Sequence, residues 1–95
     1  VQSFKKYENR NIASIQEIKN KKFNGLYESW WRNGNRRAQG RFINGREDGD
    51  YFIWYKNGNK YFSGSMRDGK LDGVFNTWFA DGKYAFKESF LVVHV

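Results

Sequence analysis

Trp30, Trp54 and Trp78 stand 24 residues apart, and Arg32, Arg36, Arg37, Arg41, Arg46, Lys56 and Lys60 lie around them. Large rings beside cations serve two kinds of recognition. They stack the bases of a single-stranded nucleic acid while the cations follow its phosphates. Alternatively they anchor a protein partner, because desolvated Trp and Arg dominate interface energetics. Repeat packing alone also spaces tryptophans evenly, and long cations lie over exposed rings in any case. A packing role for Trp54 therefore stands level with an interface role, and nucleic acid ranks well below protein. The candidate partner-binding set is Trp30, Trp54, Trp78, Arg37, Arg41 and Arg67.

Other chemistry is sparse. His94 is the single histidine, next to the C-terminus, where an edge-strand or solvated role outweighs catalysis. There is no Cys or His cluster with zinc spacing, no phosphate-binding loop and no nucleophile elbow. Glu47, Asp48, Asp50, Asp68, Asp72 and Asp81 gather near glycines, which raises calcium. Asx side chains cap turn backbones, however, and no EF-hand spacing is present. No catalytic residue, metal ligand or cofactor is assigned, and the chain is expected not to be an enzyme.

These residues need a scaffold, and composition narrows it. The chain has 95 residues, 20% of them aromatic, with no proline and no cysteine. That is one domain's length, rich in strand-favouring rings, without a disulfide framework or thiolate chemistry. Lys and Arg outnumber Asp and Glu by 17 to 10, a net charge of +7 that points equally to negatively charged partners and to a lysine-rich surface that simply keeps the chain in solution. No apolar run reaches the roughly 18 residues of a membrane-spanning helix. The start, VQSFKKYENR, has neither an apolar signal core nor a methionine, so the chain is expected to be a processed or trimmed form. The compartment, cytoplasm or cell envelope, is left open.

The organising feature is a 24-residue repeat. Gly25, Gly49 and Gly73 recur with the tryptophans, as do Gly34, Gly58 and Gly82, giving the units GLYESWWRNGN, GDYFIWYKNGN and GVFNTWFADGK. Asn33-Gly34, Asn57-Gly58 and Asp81-Gly82 lie between alternating aromatic segments, which predicts two-residue type I′ hairpin turns. In that register Trp31 pairs with Arg36, Ser29 with Ala38, Tyr27 with Gly40 and Gly25 with Phe42. Residues 1–24 read as a worn unit, with Tyr7, Asn9 and Ile18 where Trp31, Asn33 and Phe42 stand. Ile12, Ile15 and Ile18 also fit one side of a short helix, and the hairpin is preferred. The domain is thus 1–95, a degenerate unit 1–24 followed by hairpins 25–48, 49–72 and 73–95, the last atypical.

Strand alternation puts Tyr27, Trp31, Ala38, Phe42, Tyr51, Ile53, Tyr55, Phe62, Met66, Phe75, Phe79, Phe86 and Phe90 on one face. Glu28, Arg37, Gln39, Arg41, Asp50, Ser63, Ser65, Arg67, Asn76 and Lys87 share the other face with the three tryptophans. Gly40 and Gly64 each fall opposite a tyrosine, whose ring gains room to lie across the neighbouring strand. A single apolar face must curl on itself, be covered by the N-terminal segment or meet a second chain, so Phe42, Tyr55 and Phe79 are expected to be mostly buried. In the last hairpin Glu88 replaces the glycine. LVVHV is expected to continue as an apolar edge strand that pairs with the N-terminal unit or forms a homodimer.

Residues 20–87 resemble the bacterial variant of the MORN repeat found in tandem in YwqK-type antitoxin proteins; turns, glycines and tryptophans agree in order and spacing. The resemblance implies an all-β fold, an antiparallel meander of hairpins in one elongated, curved sheet. It implies a non-enzymatic protein-protein interaction module of immunity or antitoxin type, with anionic-membrane or phospholipid association as the alternative. No catalytic or ligand residue carries over. A +7 chain of this kind calls for a partner that is acidic where they meet. Glu88, LVVHV and the worn first unit depart from the pattern and leave the array length open.

Overall fold

The computed structural model describes the backbone of residues 1–90 and the side chains of residues 1–87. It is all-β among these residues. The strands are β1 (Gln2–Lys6), β2 (Ile12–Lys19), β3 (Lys22–Trp30), β4 (Arg36–Ile43), β5 (Arg46–Glu47), β6 (Gly49–Trp54), β7 (Lys60–Arg67), β8 (Lys70–Trp78) and β9 (Tyr84–Phe90). All neighbours pair antiparallel in the order β1-β2-β3-β4-β6-β7-β8-β9, with β5 on β4. The segment containing Ile12, Ile15 and Ile18 is strand, because Ser14 and Gln16 pair with β3 on one side and with β1 on the other. LVVHV, expected as a pairing edge strand, lies outside the described residues.

The two ends of the sheet turn differently. At one end Asn44-Gly45 and Asp68-Gly69 have both central residues at positive φ, as do Asn20 and Lys21, and the flanking residues pair directly: these are the two-residue turns. At the Asn-Gly end the expected type I′ geometry is replaced. Gly34, Gly58 and Gly82 have φ of 91°, 93° and 91°, but Asn33, Asn57 and Asp81 are not at positive φ. Trp31 instead accepts from the Gly34 N–H (2.9 Å) and donates to the Asn35 carbonyl (2.7 Å), a three-residue loop with the glycine as the bulge. The cause is the side chain before the glycine: Asn33 Oδ1 accepts the Asn35 N–H (2.9 Å), as Asn57 does from Asn59 and Asp81 from Lys83. Ser29, Tyr27 and Gly25 pair as expected, but Arg36 pairs with Trp30 rather than Trp31. Tyr7, Asn9, Arg10 and Asn11 make the same loop, with Arg10 in the glycine position.

These loops carry two ladders of 24-residue period. Asn9 and Asn11 both donate their side-chain amides to the Arg32 carbonyl, Asn33 and Asn35 to Lys56, and Asn57 and Asn59 to Ala80, at 2.7 to 3.3 Å. Beside them the Tyr7 hydroxyl donates to the Trp30 carbonyl (2.7 Å), Trp31 Nε1 to Trp54 (3.0 Å) and the Tyr55 hydroxyl to Trp78 (2.8 Å). Each hairpin thus clamps the backbone of the next. Asn57→Asp separates the two uses of this residue. Its carboxylate still accepts the Asn59 N–H, but it has no amide to give Ala80. A loss of about 1 kcal/mol in urea unfolding is expected; an unchanged midpoint would show that the remaining Asn59 amide, 2.9 Å from the same carbonyl, satisfies it alone.

The sheet remains open. Its Cα extents of 40 × 38 × 12 Å are those of a single layer, and the N-terminal segment is a strand of that layer, so neither curling nor an N-terminal cover hides the apolar face. Among the described residues Ala38 is the only buried hydrophobic side chain, and the other buried side chains are Ser14, Gln16, Ser29 and Thr77. Phe42 and Tyr55 are half-buried, while Phe79 is 59% exposed, against expectation. Phe79 lies in the turn of the last clear unit, where no later loop packs over it among the described residues. On the same face Phe23, Tyr27 and Phe42 pack ring against ring at centroid distances of 5.4 to 5.8 Å. Gly40 does lie opposite Tyr27, but the ring that occupies its space belongs to Tyr51 of the following hairpin. Around Gly64 the neighbours are Phe75 and Phe62.

Candidate functional site

The bulge at each Asn-Gly loop decides which side chains meet. Because Trp30 pairs with Arg36, Trp54 with Lys60 and Trp78 with Tyr84, these six side chains alternate along one row of the polar face. Arg36 lies over Trp54 (5.6 Å to the ring centroid), and Lys60 reaches both Trp78 (5.6 Å) and Phe52 (5.3 Å). Phe52 also rests against Trp54, and Tyr84 against Trp78. All three tryptophans are half-buried, with part of each ring open to solvent. Two strand spacings separate successive tryptophans, about 9.6 Å by ordinary sheet geometry.

Of the arginines expected beside them, Arg41 and Arg67 are on this face and exposed, Arg67 within 3.6 Å of Asp72. Both sit farther down the strands than the tryptophan row. Arg37 is not on this face. The extra residue in β4 rotates it to the apolar side, where it lies over Trp31 (5.1 Å) with Lys56 at 5.4 Å from the same ring. The arginine that does join the tryptophans is Arg36, which also faces Glu28 (3.8 Å) and Gln39 (3.3 Å). Only the bulge register distinguishes the two neighbours, and the two-residue turn assumed from sequence gives the wrong one. The asparagine ladder was also missed, although Asn9, Asn11, Asn33, Asn35, Asn57 and Asn59 show it as an N-x-N phrase repeated every 24 residues.

Among the described residues no His, Cys, Asp or Glu group is gathered as a metal site. On the apolar face burial pushes the Tyr51 hydroxyl above its ordinary value, with Tyr27 and Glu47 acting in the same direction and Arg37 opposing them. Tyr51 therefore stays neutral and serves as packing surface over Gly40. No protein-family model matches the chain, and no curated protein and no solved structure is significantly similar to it.

Proposed function

We propose that the chain is a non-enzymatic protein-binding module of the bacterial MORN-variant type, an immunity or antitoxin-type partner whose docking surface is the Trp30, Trp54 and Trp78 row. The observation that carries this reading is the alternation of half-open tryptophans with Arg36 and Lys60 across one flat face. Such a row offers wide, stiff rings at low entropic cost, with cations already positioned to meet carboxylates. Arg41 and Arg67 stand at its margin, where charge affects approach and selectivity more than final affinity.

The test is calorimetric titration with the product of the adjacent reading frame, at two salt concentrations. Trp54→Ala is expected to weaken binding by at least about 30-fold, that is about 2 kcal/mol. Arg41→Ala should have a smaller effect that shrinks with salt, and circular dichroism should show an intact sheet in both. An intact Trp54→Ala sheet that binds as the parent does removes the row from the interface. Binding only to anionic vesicles, falling steeply with salt and indifferent to Trp54→Ala, would put the phospholipid-associated adaptor in its place.

A further inference from the structure

The opposite face presents a separate problem. It carries Ile53 and Phe62 paired at its centre, flanked by Ala38 and Thr77, with Tyr27, Tyr51 and Phe75 in the next row. Its charged strand positions through residue 87 are peripheral: Lys5 on the edge strand β1, Arg37 near the Asn-Gly loops and Glu47 near the opposite turns. The outline, 40 by 38 Å, is about 1,500 Å² per copy, nearly twice the roughly 800 Å² that each partner contributes to a standard interface. A sheet with one apolar face is stable when that face packs on another layer, and this chain supplies no second layer from its described residues.

We propose that this face is covered by a second copy of the chain, giving a two-layer sandwich about a two-fold axis. Three features select a copy over another partner. Two identical sheets have the same hand and degree of twist, which is the condition for aligned packing about 10 Å apart at about −30°. The glycine spaces at 40 and 64 are filled by Tyr51, Phe62 and Phe75, and the hollow of about 380 Å³ on this face, between Tyr27, Trp31, Ala38, Ile53 and Tyr61, is lined mainly by rings and aliphatic surface, which suits the rings that an identical face presents. The charge of +7 is carried largely elsewhere: Arg36, Arg41, Lys60 and Arg67 all lie on the polar face, so face-to-face contact leaves them in water on the outside of both layers. An isologous contact here buries rings against rings and leaves the tryptophan rows free on both outer surfaces.

The experiment is sedimentation of the full chain over micromolar concentrations, with melting followed over the same range. The parent is expected to sediment as a dimer whose melting temperature rises with concentration, because folding and association are one equilibrium. Ile53→Lys places an ammonium at the centre of the interface and should yield monomer or unfolded chain. Leu26→Lys, on the polar face, should leave the dimer unchanged. A parent that is monomeric throughout with concentration-independent melting overturns the proposal. So does an Ile53→Lys chain that remains dimeric, since association would then run through an edge strand. The outcome is independent of whether the tryptophan row binds a partner.

Discussion

Gly40→Val is expected to remove about 3 kcal/mol of stability or to prevent folding altogether. The space a side chain would need at this buried strand position is filled by the ring of Tyr51. The ring can leave only by tipping away from the sheet, which gives up its contact over β4, and overpacking of this kind typically costs 1–3 kcal/mol even where neighbours adjust. A single layer with so little buried apolar surface has little reserve against such a loss. Urea unfolding measures it. The companion variant Tyr51→Ala makes the argument specific: if the ring is the obstacle, Gly40→Val combined with Tyr51→Ala should lose clearly less than the two single changes together. Strict additivity would mean that the glycine is needed for some other reason.

The second large effect changes sign between equivalent positions. Gly58 holds φ of 93° in the third loop, and Arg10 holds φ of 72° at the same place in the first. Gly58→Val forces a β-branched residue into the left-handed region and is expected to cost about 2 kcal/mol. Arg10→Gly relieves the same conformation and should raise stability by roughly 0.5–1 kcal/mol after the extra freedom that glycine gives the unfolded chain is deducted. Thermal unfolding of both variants beside the parent checks the pair. Equal losses would show that the loop tolerates only its own residue, whatever the backbone angle.

The repeat and its strands were legible because hydrophobic alternation and 24-residue spacing are properties of residue order. The hairpin pairs Ser29 with Ala38 and Tyr27 with Gly40 follow from them and are present. What order alone did not show was the class of the Asn-Gly loop. The same dipeptide serves a two-residue turn and a three-residue turn with a bulge, and the choice is made by Asn33 Oδ1 capping the backbone at Asn35. The longer loop brings Arg36 opposite Trp30 and to the tryptophans, and a compensating extra residue in β4, Arg37, restores the Ser29–Ala38 pair and lies on the apolar side. The apolar face was expected to be covered, and among the described residues it is open. The N-terminal unit does join the sheet as the hairpin that the repeat register favoured, and as a strand of the same layer it leaves Ile12 exposed and covers none of the apolar face.

The ladders have a direction, and that bears on how such a chain can lengthen. Every donor side chain belongs to the earlier hairpin and every acceptor carbonyl to the later one. A 24-residue duplication inserted after the second or third loop would inherit donors on one side and a clamp from the other, fitting without further change. A copy laid beyond the fourth loop would meet Phe79 and Asp81, which have no donor, and Lys83 with a single flexible ammonium. Growth by internal copying is therefore structurally neutral where growth past that loop is not, and repeat number can drift in the middle of the sheet while its two margins keep their distinct chemistry.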